Sequence, residues 1–143
     1  LSSAASDVYK RQGMANIAIS DRYPDFFAAQ YLVACQWDPK EMQVLKDKPL
    51  WITVCEGDNK AYPTMNETTA LWEKAGVKVA RNETLWDSTL PVGTLNDKIE
   101  QLLRPNTHIY YTVFKGGNHM YTWSFAYSFD AIKEWLFAQA KGK

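Results

Sequence analysis

Cysteine is scarce, with two among 143 residues, so the chain is no disulfide scaffold, and Cys35 and Cys55, each inside an apolar run, read as buried free thiols. Apolar runs are short. None approaches the ~18 residues that a membrane-crossing helix needs, so no membrane partner is expected. Neither sign of charge is in excess: Lys plus Arg (16) balances Asp plus Glu (16), and without a basic surplus nucleic acid is not an expected partner. There is no C-x-x-C, H-E-x-x-H or acidic calcium loop, so no metal site is expected. With no G-x-G-x-x-G or Walker pattern either, no nucleotide cofactor is expected, and no cofactor of any kind is indicated. The first residues do not show the charged-then-apolar order of an export signal, and localisation is left open.

What is present suffices for one core. The chain is 46% apolar and 14% aromatic, enough for a single domain of modest size. Residues 1–12 (LSSAASDVYKRQ) carry serines and charges without helical or alternating spacing, and are expected to form a non-native or disordered tail. The folded part is expected to be residues 13–143. From Gly13 onward two periodicities alternate, as in helices packed on a mostly parallel sheet. The spacing predicts helices over 14–21, 64–74, 96–103 and 124–138. Strands are expected at 28–35, 49–55, 77–85 and 108–114. A sheet of this kind that begins on a helix lacks the strand that should feed it.

In open α/β sheets the chemistry gathers beyond the carboxyl ends of the strands. Asp58 follows the second apolar run, His119 follows the fourth, and Trp37 follows the first. An acid at one strand end and a histidine at a later one can form a carboxylate–imidazole pair, the acid fixing the tautomer of the ring. Asp58, in the tetrad Glu56-Gly57-Asp58-Asn59, also suits a turn. Glu56 is the reserve acid, Asp130 lies deep in the last helix, and His108 reads as structural or exposed. Trp37, Tyr121 and Trp123 are candidates for lining a substrate pocket, core packing being the alternative for each.

The stretches GMANIAISDRYPDFFAAQYLVACQWDP, KPLWITVCEGDNKAYP and GGNHMYTWSFAYSFDAIKEWLF resemble the C-terminal half of bacterial α/β-hydrolase esterases of the prolyl-oligopeptidase-like and polyhydroxybutyrate-depolymerase-like kinds. The resemblance spans nearly everything from Gly13 to Phe137. It implies the C-terminal half of an α/β-hydrolase fold, with a mostly parallel sheet, flanking helices, and Asp58 and His119 as the acid and base of a Ser-Asp-His triad. In that family the serine sits in a G-x-S-x-G elbow ahead of a Gly-Met pair. Aligning Gly13-Met14 with that pair puts Lys10 at the serine position and Gln12 at the last elbow glycine. No G-x-S-x-G occurs in the chain, and Ser20, Ser88, Ser124 and Ser128 lack the strand-to-helix context of a nucleophile.

The expectation is therefore a fragment of a serine hydrolase, its parent a carboxylic ester hydrolase acting on a small-molecule ester. The missing N-terminal half of the same domain is its expected partner, and the chain alone is expected to be inactive. A peptidase of the same fold with a peptide substrate, and a non-catalytic hydrolase-like binding module, are the alternatives. A phospho-accepting signalling domain fits less well, since the acidic pair of its first strand is missing.

Overall fold

The computed structural model describes residues 5–8, 10–23 and 25–141, and places them in one parallel α/β sheet with helices on both faces. The elements run β1 (Ala5–Val8), α1 (Lys10–Arg22), β2 (Ala29–Val33), a 3-10 turn (Glu41–Leu45), β3 (Leu50–Cys55), α2 (Ala61–Lys74), β4 (Val79–Arg81), α3 (Val92–Leu102), β5 (Ile109–Phe114), α4 (His119–Ala126) and α5 (Asp130–Lys141). Strand order is β1-β2-β3-β5-β4, every pairing parallel.

The apolar runs become the central strands, because a strand covered on both faces is apolar at nearly every position, with Gln30, Thr53 and Thr112 the buried polar residues here. β2, β3 and β5 are buried along their whole length. Alternate residues then feed two cores. Tyr31, Val33, Trp51, Cys55, Tyr110 and Phe114 point to the face covered by α3, α4 and α5, where Trp51 and Tyr110 stack at 4.5 Å. Leu32, Leu50, Ile52, Val54, Ile109, Tyr111 and Val113 point to the other face, with Ile17 of α1 and Met65 and Trp72 of α2.

Several boundaries differ from those read in the sequence, each for a local reason. Within the stretch 1–12, set apart on composition, residues 5–8 form β1 and residues 10–12 open α1, the others lying outside the described residues, so among the described residues the sheet begins on a strand and the expectation of a missing feeder strand is corrected. Backbone pairing with β2 builds β1, and backbone pairing leaves little trace in composition. Helix α2 starts before Pro63 rather than after it, because the first turn needs no partner for a proline nitrogen. The polar stretch 77–85 yields only the short edge strand β4. There the Asn82 side chain takes over: its Nδ2 donates to Val113 O (2.8 Å) and its Oδ1 accepts from Val113 N (3.0 Å), replacing the backbone as the neighbour of β5.

The closing helix expected over 124–138 is two helices, α4 and α5, so Asp130 begins a helix instead of lying deep within one. No glycine or proline breaks it. Tyr31 Oη donates to Ala126 O (2.9 Å), the carbonyl an unbroken helix would offer to the amide of Asp130. Asn96 Oδ1 meanwhile accepts from Ala131 N (2.9 Å), satisfying an amide at the start of α5. Tyr31 Oη also lies 3.0 Å from Thr53 Oγ1, which is 2.8 Å from Thr112 Oγ1, and Trp51 Nε1 donates to Thr112 at 3.2 Å. This ladder gives the polar atoms of three adjacent strands partners beneath α4. Tyr31→Phe is expected to cost about 1–3 kcal/mol by removing the partner of a buried carbonyl. A lower urea midpoint at unchanged slope would register that loss.

Candidate active site

All five strands point the same way, so the segments after β2, β3 and β5 emerge at one end of the sheet. The β3 and β5 exits are in register, Cys55 opposite Phe114, and stay joined beyond the strands. Glu56 N donates to Phe114 O (2.9 Å) and Gly57 N to Gly116 O (3.2 Å). Gly116 and Gly117 both take positive φ, 61° and 68°, which turns the chain sharply over the end of β3. The two loops then touch backbone to backbone: a Cβ on Gly57 would lie 1.8 Å from Gly117 O.

This approach brings Asp58 and His119 together. His119 Nδ1 lies 2.7 Å from Asp58 Oδ2, with the Asp58 side chain 2% and the His119 side chain 25% exposed. The two oxygens of Asp58 divide the readings made of it in sequence. Oδ1 accepts from Lys60 N (3.1 Å) and Ala61 N (2.9 Å), organising the turn into α2, while Oδ2 faces the imidazole. A carboxylate accepts, so Nδ1 is the donor, and in the neutral ring Nε2 carries the lone pair. That nitrogen is shielded from solvent and has no hydrogen-bond partner among the described residues.

His119 is the first residue of α4 rather than a loop residue. Asn118 caps the helix, its Oδ1 accepting from Tyr121 N (2.9 Å). Trp123, one turn on, packs edge-to-face against the imidazole at 4.9 Å and donates from Nε1 to Val33 O (3.3 Å). Ring orientation is thus set from two sides. Tyr121 is more exposed, its hydroxyl 2.8 Å from Ser88 Oγ. Trp37 lines a separate surface cleft of ≈ 480 Å³ with Gln36, Asp38, Asn59, Lys60, Pro63 and Thr64, reached from the Asp58 loop but not bordered by His119, Tyr121 or Trp123.

The remaining candidates are placed elsewhere. His108 sits at the opposite end of β5, its Nε2 2.7 Å from Lys46 O. Glu56 turns to Gly116 N rather than to the imidazole. Cys35 and Cys55 are both buried, and burial, the largest influence on Cys55, pushes its thiol up. Among the described residues no group of three or more His, Cys, Asp or Glu could hold a metal ion, and no helix is long and apolar enough to cross a membrane. The sequence reading missed the contact of Gly57 with Gly117 and the clasp of Glu56. Asn118 ahead of His119 was a helix-start signal that it passed over.

No protein-family model matches the chain, and no curated protein does. Among solved structures, a thermostable esterase superposes on 94% of the chain with a TM-score of 0.54 at 17% sequence identity, and the match covers 30% of that esterase. The likeness is one of fold: a parallel α/β sheet with flanking helices, shared with part of an esterase. The chain spans about 30% of the length of that protein.

Proposed function

We propose that Asp58 and His119 are the acid and base of a carboxylic ester hydrolase, and that this chain is the C-terminal part of its domain, with Lys10 standing where the nucleophile belongs. The observation that carries the reading is the 2.7 Å contact of His119 Nδ1 with Asp58 Oδ2, with Nε2 on the far side of the ring lacking a partner among the described residues. In that geometry Nε2 takes the proton of a serine hydroxyl as its oxygen attacks the ester carbonyl. The imidazolium so formed is stabilised by Asp58 and returns the proton to the leaving alkoxide. Water then enters by the same route and releases the acid. The serine belongs at a strand-to-helix turn at this end of the sheet. The order β1 then α1 has that topology, and α1 opens on Lys10 where the serine belongs, so the chain as it stands forms no acyl-enzyme. Trp123 and Tyr121, on the helix that carries His119, are the nearer candidates for a substrate wall, and Trp37 the more distant one.

The 143-residue protein is expected to hydrolyse p-nitrophenyl acetate no faster than a denatured control. An independent read of the gene is expected to continue upstream of Gly13 in a frame encoding G-x-S-x-G, and the protein from that frame to be labelled on its serine by a fluorophosphonate. Asp58- and His119-dependent turnover by the present chain would overturn the reading. So would an upstream frame without the motif, and a frame with another residue at the serine position would favour a binding module instead.

A further inference from the structure

Two carboxylates project from the loop after β3, and the Asp58–His119 pair uses only one of them. Glu56 and Asp58 stand two residues apart, and both reach the same loop after β5. Asp58 meets the imidazole of His119, while Glu56 Oε2 accepts the backbone N–H of Gly116 at 2.7 Å. That distance marks a charge-assisted bond, the stronger kind. Glu56 forms no ion pair among the described residues, so this amide is its evident reason for holding a half-buried charge there.

The position of the bond matters more than its strength. Gly116 opens the left-handed pair Gly116-Gly117, the hinge that throws the chain from β5 across β3 and into α4. Backbone bonds from Glu56 N and Gly57 N fix Phe114 and Gly116 through their carbonyls. The Glu56 side chain fixes Gly116 through its N–H, so the peptide units on both sides of the hinge are held. From there to His119 only Gly117 and Asn118 intervene.

We propose that Glu56 is a positioning residue, a side-chain clasp that sets the hinge at Gly116 and thereby holds the His119 imidazole on Asp58. The inference rests on the pairing of Asp58 with His119, and its test needs no turnover. Labelled at histidine and glycine, the full 143-residue chain is expected to show a low-field Nδ1–H resonance from His119 that Asp58→Asn removes, with His108 as internal reference. Glu56→Ala is expected to erase that resonance or speed its exchange with solvent by roughly tenfold or more, the scale of one lost bond to a charged group. Glu56→Gln, which keeps the acceptor and the reach, is expected to preserve the signal and the slow exchange of the Gly116 amide. Glu56→Asp, which keeps the charge but is one methylene short, is expected to behave as the alanine variant.

The Gln and Asp variants keep the test decisive if the alanine variant fails to fold. A signal preserved in Glu56→Asp and lost in Glu56→Gln would overturn the clasp in favour of a pure charge effect. A signal unchanged in all three would overturn it while leaving the pair intact. A wild-type spectrum with no Asp58-dependent resonance would overturn the pairing itself and the clasp with it.

Discussion

Gly57→Ala is expected to cost about 2–5 kcal/mol of stability and to part His119 from Asp58, although the new methyl touches neither side chain. Its Cβ would sit 1.8 Å from Gly117 O and 2.9 Å from Gly117 C, distances no rotamer can relieve because the obstacle is backbone. One loop must move. Gly117 has little room to do so, for its own Cβ position is 2.6 Å from Tyr121 Cδ2 and 3.0 Å from Cys55 Sγ. The displaced loop would surrender the Gly57 N to Gly116 O bond, the Glu56 clasp and the Asp58–His119 contact together. Urea unfolding measures the stability and the low-field imidazole proton reports the contact. Gly93→Ala is the control: nothing lies within 4 Å of a Cβ there, and the change is expected to shift stability by less than about 1 kcal/mol. Equal effects at the two glycines would show that the loops do not touch as described.

The sheet was legible in the sequence where burial alone decides structure. Three largely apolar runs gave β2, β3 and β5, since strands covered on both faces leave few polar positions to confuse the pattern, here Gln30, Thr53 and Thr112. Asp58 and His119 were legible as candidates because each follows such a run closely, and parallel strands deliver their exits to one end. What was not legible rests on tertiary hydrogen bonds, which have no period. Tyr31 splits the closing helix through a carbonyl 95 residues away, and Asn82 ends β4 by imitating a backbone at Val113. β1 was lost for the same reason, being short and built by pairing rather than by apolar spacing. Glycine is hardest of all to read in this way. Gly57 in EGDN looks like any turn glycine, and only the neighbouring loop explains why nothing larger fits.

In the serine-bearing protein, His119→Ala is expected to lower kcat/KM by about 10⁴-fold or more, whereas His108→Ala should leave it within a small factor of the parent. The difference follows from placement. His108 bonds Lys46 O at the far end of β5, so its removal costs at most about 1 kcal/mol of stability and touches no reacting group. Asp58→Asn makes a finer test, because Oδ1 and Oδ2 have separate duties. The asparagine oxygen can still accept from Lys60 N and Ala61 N, so the turn into α2 survives and the protein should fold. Its amide nitrogen, facing His119, donates where the carboxylate accepted, and the ring answers by moving its proton to Nε2. The lone pair needed to take the serine proton is then gone, and activity should fall by about as much as in His119→Ala. Combining the two substitutions should do little further harm, since either one alone disables the same base. Losses that instead multiply in the double variant, measured under the same conditions, would show Asp58 and His119 acting separately and would defeat the proposed pair.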